Sequence, residues 1–84
     1  MAVLVKLKVM PKSREIDIEE LKKKIDVLIR PVKIEVEDIA FGLRALIVSS
    51  VIEDKKGSLE EIENKIKSLE DVKSVETVYI TRTL

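Results

Sequence analysis

Side chains able to carry chemistry are few in this chain, and the most versatile are missing. There is no histidine and no cysteine among its 84 residues. General-base work near neutral pH, thiol chemistry, disulfides and soft metal sites therefore lose their usual side chains. Ser49 and Ser50 fall inside an apolar run, with no histidine to activate them. Glu60, Glu61, Glu63 and Glu70 would serve acid–base chemistry only if two of them lined a pocket with separated pKa values. Their spacing reads instead as the solvated face of a helix. No G-x-x-x-x-G-K-[ST] phosphate loop is present, and no G-x-G-x-x-G follows the first apolar segment. The turn Lys55-Lys56-Gly57 could meet an anion at the start of the following helix, but a solvated turn also accounts for it. These residues point to a protein that is not an enzyme and works by binding, with no cofactor or metal of its own.

The elements that carry these residues are legible from periodicity. Val3, Val5, Leu7 and Val9 alternate with Lys6 and Lys8, which predicts a strand with one buried face, ended by Pro11. Asp17 offers an N-cap, with Glu20 three positions on. Ile18, Leu21, Ile25 and Leu28 then trace one helical face, and Pro31 closes the segment. Val32, Ile34 and Val36 alternate with charged residues as a second strand. Leu43 to Ile52 is apolar in both registers, as a central strand is. Ser58 and Glu61 form an S-x-x-E capping box ahead of a helix whose stripe is Leu59, Ile62, Ile66 and Leu69. Val72, Val75 and Thr77 to Thr81 supply the last strand.

The order β-α-β-β-α-β, with right-handed crossovers, predicts an α+β ferredoxin-like sandwich. Four antiparallel strands lie in the order 4-1-3-2, with two helices on one face. One domain spans residues 1–84. An apolar content of 45% and a charged content of 38%, interspersed, fit a folded chain rather than a tail. Lys and Arg number 16 and so do Asp and Glu, for a net charge of zero, which weakens a reading as a nucleic-acid backbone binder. The opening segment is too short and too charged for a signal peptide or membrane span. Absence of cysteine fits a reducing cytosol.

Binding modules of this topology offer alternatives. An RNA-recognition domain stacks bases on aromatics of its first and third strands. Those strands display Lys6, Lys8 and Arg44 here, with Phe41 at the start of the third as their one aromatic. A small-ligand regulatory domain would ordinarily have a glycine near the first strand–helix junction, and Pro11-Lys12-Ser13-Arg14-Glu15 has none. Phe41 is the chain's only phenylalanine and precedes Gly42. It is either a core aromatic covering one end of the sheet or an exposed anchor for a partner. Gly42 allows a tight turn or close approach of a partner backbone. Arg44 could add a charged contact, and Arg82, near the C-terminus, could reach a partner's acidic or metal-binding site.

Several segments carry a family pattern along essentially the whole chain. They are Val9-Met10-Pro11 and Asp17-Ile18-Glu19-Glu20-Leu21, then Ile39-Ala40-Phe41-Gly42-Leu43-Arg44-Ala45-Leu46, the most distinctive block. Glu53-Asp54-Lys55-Lys56-Gly57 with its acidic helix and the valine-rich last strand follow. In this order they resemble the archaeal elongation factor 1-beta family of guanine nucleotide exchange factors and, more distantly, the C-terminal exchange domain of the eukaryotic counterpart. The resemblance implies a cytoplasmic translation factor whose partner is elongation factor 1-alpha, the GTPase that delivers aminoacyl-tRNA to the ribosome. GDP, GTP and magnesium would belong to that partner, and neither nucleic acid nor membrane would be bound directly. It implies GTPase contacts by Phe41, Gly42, Arg44 and Arg82. Eukaryotic members direct a penultimate lysine at the bound magnesium, whereas here that position is Thr83 and the nearest cation is Arg82.

Overall fold

A computed structural model of the chain describes residues 2–82. Its elements are β1 (Ala2–Pro11), α1 (Ile18–Ile29), β2 (Lys33–Ala40), β3 (Leu43–Glu53), α2 (Ser58–Lys67) and β4 (Val72–Arg82). The four strands form one antiparallel sheet in the order β2-β3-β1-β4, so the ferredoxin-like α+β sandwich is the fold. Thr83, where the family's penultimate cation would sit, lies outside the described residues.

Alternation in β1 sends Val3, Val5, Leu7 and Val9 to the helix side, where each is buried. Register then sets Ile52, Ser50, Val48 and Leu46 of β3 beside them on the same side. Ile18, Leu21 and Ile25 of α1 and Ile62 and Ile66 of α2 close the core over this pair, with Val72 and Val75 of β4. Burying a side chain of this size contributes roughly 1.5–3 kcal/mol.

Both helix starts depend on local chemistry, in different ways. The Asp17 carboxylate accepts from the backbone N–H groups of Glu19 and Glu20 at 3.0 and 3.2 Å, so the first helix is capped as its sequence predicts. The predicted capping box at the second helix does not form. Gly57, at φ 90°, occupies the N-cap without a side-chain bond, and Ser58 is already helical. Ser58 N–H donates to the Lys55 carbonyl, and that turn brings the chain into the helix one residue earlier than the box requires. The C-terminal part of α1 differs as well. Ile29, rather than Leu28, packs against the core, and Leu28 looks into a groove beside the start of α2.

Two helices do not cover four strands completely. On the helix side of β2, Ile34 is half-buried and Val36 is exposed. The opposite face of the sheet carries no helix, and small residues let charges meet across it. Lys8 of β1 and Glu37 of β2 pair at 3.6 Å, bridging β3 over Ala45, which is fully buried beneath them. Lys6 lies 5.6 Å from the centre of the Tyr79 ring on β4, a cation–π contact.

The two helix starts should respond unequally to truncation. Asp17→Ala is expected to lower the unfolding free energy by about 1 kcal/mol, and Ser58→Ala to change it by less than about 0.5 kcal/mol. Urea denaturation monitored by circular dichroism measures both, and equal losses would restore the capping box.

Candidate functional site

Phe41 and Gly42 are the two-residue loop of the β2–β3 hairpin, closed by the Ala40–Leu43 pair. Both have positive φ, 53° and 79°, as the tight turn that matches strand twist requires. Glycine and asparagine adopt this conformation easily, whereas a non-glycine residue in it costs about 1–2 kcal/mol. Phe41 bears that cost without any return from burial, since 92% of it is exposed. An aromatic ring held at a strained hairpin tip in solvent is a candidate contact for a partner. Of the two sequence readings of Phe41, the core aromatic is excluded: the ring stands on the rim, in solvent.

Other residues support the tip. Arg14, from the loop between β1 and α1, donates through Nη1 to the Phe41 carbonyl at 3.4 Å. A Cβ added to Gly42 would lie 3.9 Å from Arg14 Cδ, so space is not what demands glycine there; the positive φ is. Arg44 is exposed and sits opposite Asp38 in the β2–β3 register. It lies on the helix side of the sheet, in line with Leu46 and Val48. Lys6 and Lys8 project from the open side, so the three cations of these strands do not share a face. Tyr79 is the aromatic of that open face.

Arg82 is elsewhere. It ends β4 beside Val3, which in turn is level with Ile52 near the end of β3. Its guanidinium pairs with the Asp54 carboxylate at 3.4 Å. The length of β3 separates Arg82 from Phe41, roughly 33 Å at the usual rise per residue. The longest dimension of the backbone is 39 Å, so the two groups occupy opposite ends of the molecule. The structure thus brings Phe41, Gly42 and Arg44 together and leaves Arg82 apart. Sequence reasoning passed over Arg14 and Asp54. Their partners lie 27 and 28 positions away, and no local spacing signals such pairs.

Among the described residues no group of three or more carboxylates could hold a metal ion. The buried Ser49 and Ser50 leave no buried side-chain polar atom unpartnered. Glu63, half-buried, accepts a hydrogen bond from Thr77 Oγ1 at 2.8 Å and so ties α2 to β4. Among the described residues no helix is long and apolar enough to cross a membrane. What the surface offers is a rigid body with a projecting aromatic at one end and an ion-paired arginine at the other.

Comparison with known proteins places the chain in a family. Residues 4–83 match the family described as the EF-1 guanine nucleotide exchange domain. Relatives named elongation factor 1-beta align over almost their full length. The one from Methanococcus aeolicus is 43% identical across 94% of both chains. The one from Sulfolobus acidocaldarius is 41% identical across 98% of this chain and 97% of its own. The Methanocaldococcus jannaschii protein is 37% identical across 94% of both.

Strain at the tip can be measured without any partner. Phe41→Asn is expected to raise the unfolding free energy by about 0.5–1 kcal/mol, because asparagine tolerates positive φ and no packing is lost. A fall in the denaturation midpoint would show that Phe41 serves the fold.

Proposed function

The chain belongs to the EF-1 guanine nucleotide exchange family, and we propose that it promotes exchange of GDP for GTP on elongation factor 1-alpha. The observation that carries this reading is Phe41, strained and 92% exposed at the tip of a two-residue hairpin. Binding is the whole mechanism. The factor grips the nucleotide-free GTPase more tightly than the GDP-bound form, and by linkage its binding lowers GDP affinity by the same factor. GTP then enters the vacated site and weakens the hold of the factor.

The energies involved are within reach of a few contacts. A thousandfold fall in GDP affinity corresponds to about 4.1 kcal/mol of differential binding. Full burial of one phenylalanine supplies roughly 1.5–3 kcal/mol. Phe41 thus provides a large part where the apolar pocket it enters is open only in the nucleotide-free GTPase, since a contact made equally in both states shifts nothing. Gly42 lets the partner's backbone come close. Arg44 adds a charged contact on the same end. Arg82 acts at the other end, roughly 33 Å away along β3. A GTPase touched by both groups is bound along the long axis of this domain, on two separate surfaces. For Arg82 to reach an anionic or magnesium-binding site, its guanidinium must leave Asp54. That exchange is inexpensive, because exposed ion pairs contribute about 0–1 kcal/mol.

Release of labelled GDP from purified elongation factor 1-alpha tests the proposal. Addition of this protein is expected to accelerate release, and an unchanged rate with both proteins folded rejects it. Phe41→Ala should raise the concentration needed for half-maximal stimulation by about thirtyfold, the size of a hot-spot loss of about 2 kcal/mol. Arg82→Ala should chiefly lower the maximal release rate. If Arg82→Ala leaves both parameters intact, the far end of the domain plays no part in exchange.

A further inference from the structure

Ser50 interrupts the apolar row of β3. It stands opposite Val5, between Val48 and Ile52, on the side that faces the helices. Only 5% of it is exposed, yet its hydroxyl makes no hydrogen bond among the described residues. A buried hydroxyl without a partner is costly, and such groups are rare in folded proteins. No side-chain polar atom sealed from water lacks a partner, so the Ser50 oxygen keeps an opening to the surface. That opening is a groove of about 440 Å³ between the end of α1, the end of β3 and the start of α2.

Two further groups without a partner line the same groove. Ser58, half-buried, is released from capping by Gly57, and its hydroxyl makes no hydrogen bond among the described residues either. Arg30 forms no ion pair among them. It holds the left-handed conformation that ends α1, at φ 49°, where glycine or asparagine is the usual residue. Like Phe41, it bears backbone strain with no return from burial.

We propose that this groove binds a small carboxylate with a short aliphatic body. A guanidinium presents paired N–H donors that match two carboxylate oxygens, and the two serine hydroxyls supply donors for the remaining lone pairs. Charge sets the class of anion. Arg30, Lys55 and Lys65 line the groove against Glu53 and Glu61, which leaves one positive charge. Lys55 is already tied to Glu53 at 3.1 Å, and Lys65 to Glu61 at 3.6 Å. One unpaired cation suits a single negative charge, whereas a phosphate dianion would face two carboxylates with only Arg30 to balance it. Leu28, 38% exposed, and Ile62 supply an apolar wall on which an aliphatic chain would lose contact with water. The groove is near the small end of ligand sites, so the chain is one of a few carbons. None of these groups belongs to the Phe41 tip, and binding here does not depend on exchange activity.

Amide NMR titration of the full chain with acetate, butanoate and hexanoate tests this. The series runs to about 50 mM, as ligands of so few atoms require, with ionic strength held constant by sodium chloride. Saturable shifts are expected at Arg30, at 50–52 and at 58–62, and none at the Phe41 tip. Affinity should rise by about fourfold for each methylene that reaches the wall of Leu28 and Ile62. Arg30→Gln should weaken hexanoate binding by about tenfold or more, and Ser50→Ala by about fivefold, as loss of a charged and a neutral hydrogen-bonding group. Circular dichroism should report an unchanged fold in both variants. Shifts no larger than those sodium chloride gives, affinity indifferent to chain length, or unchanged binding in either variant would overturn the proposal. So would inorganic phosphate binding more tightly than hexanoate.

Discussion

Val5, Leu7 and Val9 of β1 lie beside Ser50, Val48 and Leu46 of β3 on one side of the sheet, and two helices cover that side. Burial of this inner strip drives folding, since apolar area removed from water is the main favourable term. Two amphipathic helices are too narrow to extend the same cover across four strands. The open face, the helix side of β2 and the hairpin tip are consequently left to solvent. An 84-residue domain has little apolar surface to spare. Where it leaves some outside, at Phe41, Val27 and Val32, the surface is available for a partner.

Charges manage the rest of that exposed area. Lys8 and Glu37 meet over Ala45, Lys6 rests on Tyr79, and Lys24 pairs with Asp71 at 3.3 Å. Pairs of this kind contribute little stability individually. Their effect is to cover small or aromatic surface with polar groups, which suits a chain with balanced charge.

The hairpin places Phe41 through its strand pairing. The β2–β3 register fixes Phe41 at the end of two long strands, and its strained backbone is held by ladder pairs on one side and Arg14 on the other. Strain tolerated at an exposed ring is consistent with selection for presentation rather than stability. Distance from that tip to Arg82 then separates the two candidate contacts by most of the length of the domain. Under the proposed function, a large partner would be held at one end while its nucleotide site is disturbed from the other.

Much of this was readable along the chain. Alternation in Val3–Val9 and Val32–Val36, the stripes of the two helices and the Asp17 cap depend on neighbours within a few residues, and backbone geometry translates such spacing directly into faces. Order of elements and handedness then left one sheet topology. The sequence also singled out Phe41, Gly42, Arg44 and Arg82 as expected contacts, and its resemblance named the family. It could not say whether Phe41 was core or rim, nor on which side Arg44 would stand. Those depend on how far the helices reach over the sheet. The pairs Arg14–Phe41 and Arg82–Asp54 join residues distant in sequence, which only closure of the sheet brings together. Ser58 failed as a cap because Gly57 turned the chain first. Local periodicity determined the elements; the limited width of two helices over four strands decided what remained exposed to act.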